Sequence, residues 1–259
     1  MFLGYWILPL AGVQLAIIVC YIGSLGVRLR GEERERVRLR ELFGRYVSDV
    51  VVEKLLASKK YPALGGESLE VTVLFVDIRD FTPLAECLRP AEVVEMLNAY
   101  FPRICEPILE EGGTVDKFIG DAVMAVFGSP AVVPDHARRA LKCAVQIARC
   151  SQEFLTWLQQ RFAGQDIEDF RIGIGLHTGE VVVGNIGTPW RLEFTSVGDT
   201  VNIASRLEGL SKSLGWIIVA SQETILAAGP GVVIGRQAEV SLKGRKKPVA
   251  VLEVLDIKE

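Results

Sequence analysis

The sequence predicts an α+β domain built on a ferredoxin-like βαββαβ core, with further strands and helices added and an apolar helix in front. Three observations carry this. Short apolar runs rich in β-branched residues stand at about 71–76, 114–118, 122–127 and 170–176. Two amphipathic stretches of helical length, about 90–111 and 135–162, separate the first run from the next two and those two from the fourth. From Met1 to Val27 there is no charged residue. Strand, helix, two strands, helix, strand is the order of a split βαβ fold, an antiparallel sheet with helices on one face.

The uncharged segment contains Trp6, Ile7, Leu8, Leu10, Val13, Leu15, Ile17, Ile18, Val19 and Leu25. About 20 such residues cross a hydrocarbon core, so 1–27 is predicted as a transmembrane helix. Arg28, Arg30, Arg34, Arg36, Arg38 and Arg40 follow it. Basic residues after the run place the rest of the chain in the cytoplasm and the protein in a plasma or cell inner membrane, and they argue against a cleaved signal peptide. The run is also compatible with the last span of a longer receptor. Residues 28–66 are predicted as a juxtamembrane helical linker. Its signs alternate through Glu32, Glu33, Arg34 and Glu35, and an amphipathic stretch with Leu39, Leu42, Phe43 and Tyr46 follows. Pro62, Gly65 and Gly66 end it, and 67–259 forms the main domain.

Within that domain, Val71 to Val76 reads as a strand buried on both faces, ending in Asp77. Val93, Leu97, Phe101 and Ile104 share one face of the first helix, which Gly112-Gly113 terminates. The next two runs are joined so tightly through Gly120 that a hairpin is predicted, with Asp121 at its tip. Ala137, Leu141, Ala144 and Ala148 are spaced for one face of the second helix. Alternation through Phe170, Ile172, Ile174 and Leu176 gives the fourth strand, and 180–186 its hairpin partner across a turn at His177-Thr178-Gly179. A last helix begins near Asp199 or Thr200 as cap, with Ile203, Leu207 and Leu210 as its apolar stripe.

Composition narrows the function. A net charge of −3 excludes a generic polyanion binder, so no nucleic-acid partner is expected. Five cysteines, without CxxC pairing, suit a reducing compartment, and only two histidines, His136 and His177, make a histidine metal cluster improbable. Both His177 and Glu180 are read as structural.

Three stretches carry chemistry. In Phe75-Val76-Asp77-Ile78-Arg79-Asp80-Phe81-Thr82, a carboxylate ends an apolar strand. In Lys117-Phe118-Ile119-Gly120-Asp121-Ala122-Val123, a second sits between apolar strands. A lone Asp of this kind is more often a turn cap. Two at strand ends of one sheet can share a pair of magnesium ions. In Gly198-Asp199-Thr200-Val201-Asn202-Ile203-Ala204-Ser205-Arg206, the Asn and Arg are four apart and share one helix flank, where both can reach a phosphate.

Together, and in this order, these stretches resemble the class III adenylate and guanylate cyclase family over about 69–254. The resemblance implies the cyclase fold and an adenylate cyclase that converts ATP to 3′,5′-cyclic AMP and pyrophosphate. It implies Asp77, Asp121 and the Ile78 carbonyl as ligands of two Mg2+ or Mn2+ ions. Asn202 would orient the ribose and Arg206 would stabilise charge on the reacting phosphate. Lys243 would meet the terminal phosphates, and Phe81 and Thr82 would offer backbone N–H groups to the triphosphate. The family's two base-reading positions fall on Lys117 and Thr195. A lysine donates to adenine N1 and a hydroxyl accepts from the exocyclic amine, which favours ATP over GTP. Threonine at the second position resembles the subgroup stimulated by bicarbonate. Composite sites at a homodimer interface are also implied, because this chain holds both halves. Two rivals give other outcomes. A catalytically silent pseudocyclase would serve as a dimeric receptor module, and a membrane scaffold would bind ATP without releasing pyrophosphate.

Overall fold

The computed structural model describes residues 12–26, 28, 64–130, 132–165, 167, 169–188, 190–242 and 247–258. The chain divides into two units, Met1–Ser58 and Lys59–Glu259. In the first, residues 12–26 are helical, with Val13, Leu15, Ile17, Ile18 and Val19 exposed. Among the described residues no helix is long and apolar enough to cross a membrane. The rest of the expected span and nearly all of the expected juxtamembrane helix lie outside the described residues.

The second unit runs β1 (Gly65–Ile78), α1 (Phe81–Glu86), α2 (Pro90–Glu110), β2 (Thr114–Ile119), β3 (Ala122–Phe127), α3 (His136–Arg161) and β4 (Ile172–Thr188). There follow β5 (Arg191–Val197), α4 (Asp199–Leu214), β6 (Ile218–Ser221), α5 (Gln222–Ala228), β7 (Val232–Val240) and β8 (Val249–Ile257). The first four strands lie in the order β2-β3-β1-β4, all antiparallel neighbours, which is the split βαβ core that the sequence predicts. The sheet continues through β6, β8 and β7, and β5 pairs with β4. The β4–β6 pair is parallel, so the whole sheet is mixed.

Burial explains the layers. Leu74, Val76 and Ile78 of β1 point into a core shared with Met96, Tyr100, Ile104 and Ile108 of α2 and with Leu141, Ala144 and Ile147 of α3. Each fully buried side chain of this size contributes about 1.5–3 kcal/mol. Tyr100 and Phe154 anchor this layer, their ring centroids 5.6 Å apart and each packed against Phe170. The alternate residues of β1, Val71, Val73 and Phe75, face the other side with Val181, Val183 and Ala204.

That second face corrects one expectation. Helices do not lie on one face only: α4 packs opposite α2 and α3, through Ile203, Ala204 and Leu207.

A second correction concerns 177–179, which is not a turn. Strand β4 runs unbroken for 17 residues, and β1 pairs with it from Gly65↔Asn185 to Ile78↔Ile172. The small and polar residues that suggest a turn serve packing. Thr178 Oγ1 hydrogen-bonds Thr72 Oγ1 at 2.7 Å and donates to Thr224 Oγ1 at 3.1 Å, and His177 Nδ1 bonds Ser221 Oγ at 2.7 Å. Neither Asp199 nor Thr200 caps α4. The N-cap is Gly198, and Thr200 Oγ1 donates to the Glu180 carbonyl at 2.7 Å. The expected linker is also shorter at its end, because Gly65 and Gly66 already belong to β1.

Candidate active site

Asp77 is the penultimate residue of β1, and strand alternation turns it away from the α2–α3 core onto the α4 face. Asp121 sits in the two-residue connection between β2 and β3, where Ile119 pairs with Ala122. Gly120 takes φ 66°, the left-handed conformation that so tight a hairpin needs at its first central residue. The two carboxyl groups are thereby brought side by side. Burial first, then Asp121 and the charge of Glu208, push the Asp77 carboxyl up to about 7, although its Oδ1 accepts from the Ile78 N–H at 3.1 Å. Asp121 Oδ2 is buried with no hydrogen-bond partner. The hydroxyl of Tyr100, in the α2–α3 core, is pushed well above its ordinary range by burial first and then by the charges of Asp77 and Asp121.

An orphaned carboxylate oxygen beside a second carboxylate is a donor set that a hard divalent cation satisfies, so the residues present fit such an ion. Among the described residues no group of three or more His, Cys, Asp or Glu side chains could hold a metal. Two side chains, the Ile78 carbonyl and substrate oxygens would have to complete the shell.

Glu208 of α4 is not among the residues that the sequence singles out as candidates, yet it joins the site. Burial raises its carboxyl to about 7, against the pull of the nearby Arg79, and the charge of Asp121 adds to the rise. A Cβ on Gly173, the residue paired with Asp77, would come within 2.6 Å of Glu208 Oε1. Arg79, two residues beyond Asp77, donates to the Ser211 carbonyl at 3.0 Å and to that of Trp216. Next to it, Asp80 takes a left-handed φ of 56° and pairs with Lys212. The loop after β1 is thus tied to the C-terminal end of α4. Phe81 and Thr82 open α1, so their N–H groups lie in its first turn, where no helical carbonyl reaches them.

Asn202 is exposed and Arg206 half-buried, on one flank of α4. Asn202 lies six residues before Glu208, about 9 Å along the axis at 1.5 Å per residue. The carboxylate pair therefore meets α4 at the end away from Asn202.

Lys117 and Thr195 do come together, on β2 and β5. Thr195 Oγ1 donates to Asp116 at 2.8 and 2.9 Å, and the Ser196 N–H donates to the same carboxylate at 3.2 Å. Lys117 Nζ lies 2.9 Å from Glu193 Oε2 and 3.6 Å from Asp116 Oδ1. Burial pushes the Asp116 carboxyl up, while Thr195, Lys117 and Ser196 pull it down. Sequence reading missed Asp116, yet a signal existed: a charge directly before Lys117 within the short strand Thr114–Ile119, where the structure shows a register shift between Val115 and Lys117. Lys243 lies outside the described residues.

Residues 66–252 match the family model for the adenylate and guanylate cyclase catalytic domain. Adenylate cyclase 1 of Rhizobium meliloti is 35% identical over 215 residues, 83% of this chain and 32% of that protein. The chain thus spans about a third of the length of the curated relatives it matches. Among solved structures, the guanylyl cyclase Cya2 is 37% identical with a TM-score of 0.69, over 76% of this chain and 96% of that one. The adenylyl cyclase CyaB from P. aeruginosa is 31% identical with a TM-score of 0.68, over 75% and 98%.

Proposed function

Because the chain belongs to the adenylate and guanylate cyclase family of catalytic domains, we propose that it is an adenylate cyclase making 3′,5′-cyclic AMP and pyrophosphate from ATP at composite sites of a homodimer. The observation that carries the choice of ATP is the Lys117–Thr195 cluster, in which Lys117 Nζ lies 2.9 Å from Glu193 Oε2 and Thr195 Oγ1 donates to buried Asp116 at 2.8 Å, leaving the ammonium as donor and the hydroxyl lone pairs as acceptor toward a base. A base with N1 free and an amine at position 6 complements it.

The reaction is an in-line attack of the ribose 3′ oxygen on the α-phosphorus with departure of pyrophosphate. Positioning and charge neutralisation are most of the task. Asp77, Asp121 and the Ile78 carbonyl would hold two divalent cations, which lower the pKa of the 3′ hydroxyl and neutralise phosphate oxygens when bound. Asn202 holds the ribose, and the Arg206 guanidinium meets the charge that grows on the α-phosphate. Lys243 and the N–H groups of Phe81 and Thr82 take the terminal phosphates. The homodimer reading is supported by the offset along α4, where Asn202 stands six residues, about 9 Å, before the Glu208 turn that meets the carboxylate pair. Bicarbonate activation belongs to this reading through Thr195.

A membrane segment ending at residue 27, a linker that stops before β1 at Gly65, and a plasma or cell inner membrane location with a cytoplasmic catalytic domain are part of the proposal. The uncharged run to Val27 and the arginines after it support them.

The test is direct: purified chain with Mg2+ or Mn2+ is given ATP or GTP, and cyclic nucleotide and pyrophosphate are quantified. Cyclic AMP and pyrophosphate in equal amounts from ATP, with little product from GTP, is the expected result. Predominant cyclic GMP overturns the choice of base. Nucleotide binding without pyrophosphate would mark a scaffold instead.

A further inference from the structure

A threonine hydroxyl has one hydrogen and two lone pairs, so alone it does not tell a donor from an acceptor. Its neighbours decide what it can offer. In this protein the neighbour is Asp116, whose side chain is 5% exposed, so water hardly competes for it. Thr195 Oγ1 donates to both of its oxygens, at 2.8 and 2.9 Å. The carboxylate is itself held by the Ser196 N–H at 3.2 Å and faced by the Lys117 ammonium at 3.6 Å. An ionised carboxylate has no hydrogen to return. The single hydrogen of Thr195 is therefore committed inward, and only lone pairs remain for a group approaching from outside.

The geometry points to Asp116 as a positioning residue that sets the choice of purine: by holding the Thr195 hydrogen it makes that hydroxyl an acceptor only, matched to the 6-amino group of adenine and mismatched to a 6-oxo group. This rests on the reading of Lys117 and Thr195 as the base-contacting pair. Asp116 acts through Thr195, with no contact to the substrate required. In the Asp116→Asn variant the amide oxygen can keep the Ser196 N–H while its NH2 donates to Thr195 Oγ1. The hydroxyl then turns its hydrogen outward, where a 6-oxo group can accept it.

The measurement is kcat/KM of the full chain for ATP and for inosine triphosphate, which carries a 6-oxo group but lacks the extra amine of GTP. We expect wild type to prefer ATP and Asp116→Asn to narrow the ratio about tenfold, the worth of one mismatched polar contact in a closed site. In a Thr195→Val background the same substitution should leave the ratio where Thr195→Val alone puts it, since the two act through one hydrogen bond. If Asp116→Asn slows both nucleotides by one factor while Thr195→Val shifts the ratio, Asp116 is only structural and the inference fails. If Thr195→Val leaves the ratio unchanged, the base-reading assignment fails, and this inference with it. Asp116→Ala, which removes the inward acceptor and so frees the Thr195 hydrogen, is read by the same criteria should Asp116→Asn not melt cooperatively. A wild-type enzyme that turns over inosine triphosphate as well as ATP overturns the inference without any variant.

Discussion

At the scale of single residues, the buried carboxylates of the candidate site cost the fold. Asp77 and Glu208 both have carboxyls raised to about 7 by burial and by neighbouring charge. A raised carboxyl binds its proton more tightly folded than unfolded, so its penalty is full above pH 7 and is relieved as pH falls from about 7 toward 4. Metal-free protein should accordingly be more stable at pH 6 than at pH 8 as far as these groups decide it. Asp77→Asn should raise the melting temperature in EDTA at pH 8 by several degrees, on the order of 1–2 kcal/mol once solvent screening is allowed for. At pH 5 the gain should fall to about a third and near pH 4 it should nearly vanish, and a gain equal at pH 8 and pH 4 would show that Asp77 carries no such penalty. The same substitution, like Asp77→Ala or Asp121→Ala, should abolish turnover in a folded domain, and near-normal activity in any of them would remove the metal assignment. Base choice belongs to this scale as well. Replacing Lys117 by Glu and Thr195 by Cys should lower the ATP to GTP preference about a hundredfold, at roughly 1–3 kcal/mol per mismatched contact. Kinetics with both nucleotides decide it, and an unchanged preference means that other residues read the base.

At the scale of elements, the decisive contact is α4 against β4. A Cβ on Gly175 would meet Glu208 N at 2.2 Å and the Ala204 carbonyl oxygen at 2.4 Å, both backbone atoms that cannot swing aside. Glycine here lets helix and strand touch. Gly175→Ala should push α4 off the sheet and cost about 1–3 kcal/mol, several degrees in melting temperature. It should also lower kcat at least tenfold, because Asn202 and Arg206 ride on the same helix. Unaltered melting and activity would mean that this packing is looser than its geometry. Strand and helix positions were largely legible from periodicity: α2 and α3 begin and end within a residue or two of their expected bounds. The straight course of β4 was not legible. His177-Thr178-Gly179 has turn composition, and only the unbroken pairing with β1 shows its residues facing Ser221, Thr224 and α4 instead.

For the whole molecule, the prediction is complementation. An Asp77→Ala chain and an Arg206→Ala chain should each be inactive, and mixed dimers should recover activity, with one of the two sites intact in each heterodimer. At equal mixing about half the dimers are mixed, so recovery to roughly a quarter of wild-type turnover is expected. No recovery in dimers shown to be mixed would place the whole site within one chain. The half-buried tie from Arg79 to the carbonyls of Ser211 and Trp216 gives this arrangement a consequence. Under the proposed composite sites, it would fasten the carboxylate loop of one site to the helix that serves the other.

The sequence by itself determined the βαββαβ order, the helix faces, the carboxylates at strand ends and the Asn-Arg pair on one flank. These follow from local rules: periods of 2 and 3.6 residues, glycines at helix ends and hairpins, and a charge that interrupts an apolar run. The tertiary structure alone decided that α4 lies across the sheet from α2 and α3, that β4 is one straight strand, and that Asp116, Glu208 and Arg79 join the site. Those three are ordinary charged residues in the chain, separated from their partners by 79 positions for Asp116 and Thr195 and by 132 for Arg79 and Ser211. A charge acquires its role from what excludes water around it and from which opposite or like charge the fold sets beside it, and neither is a property of neighbouring sequence.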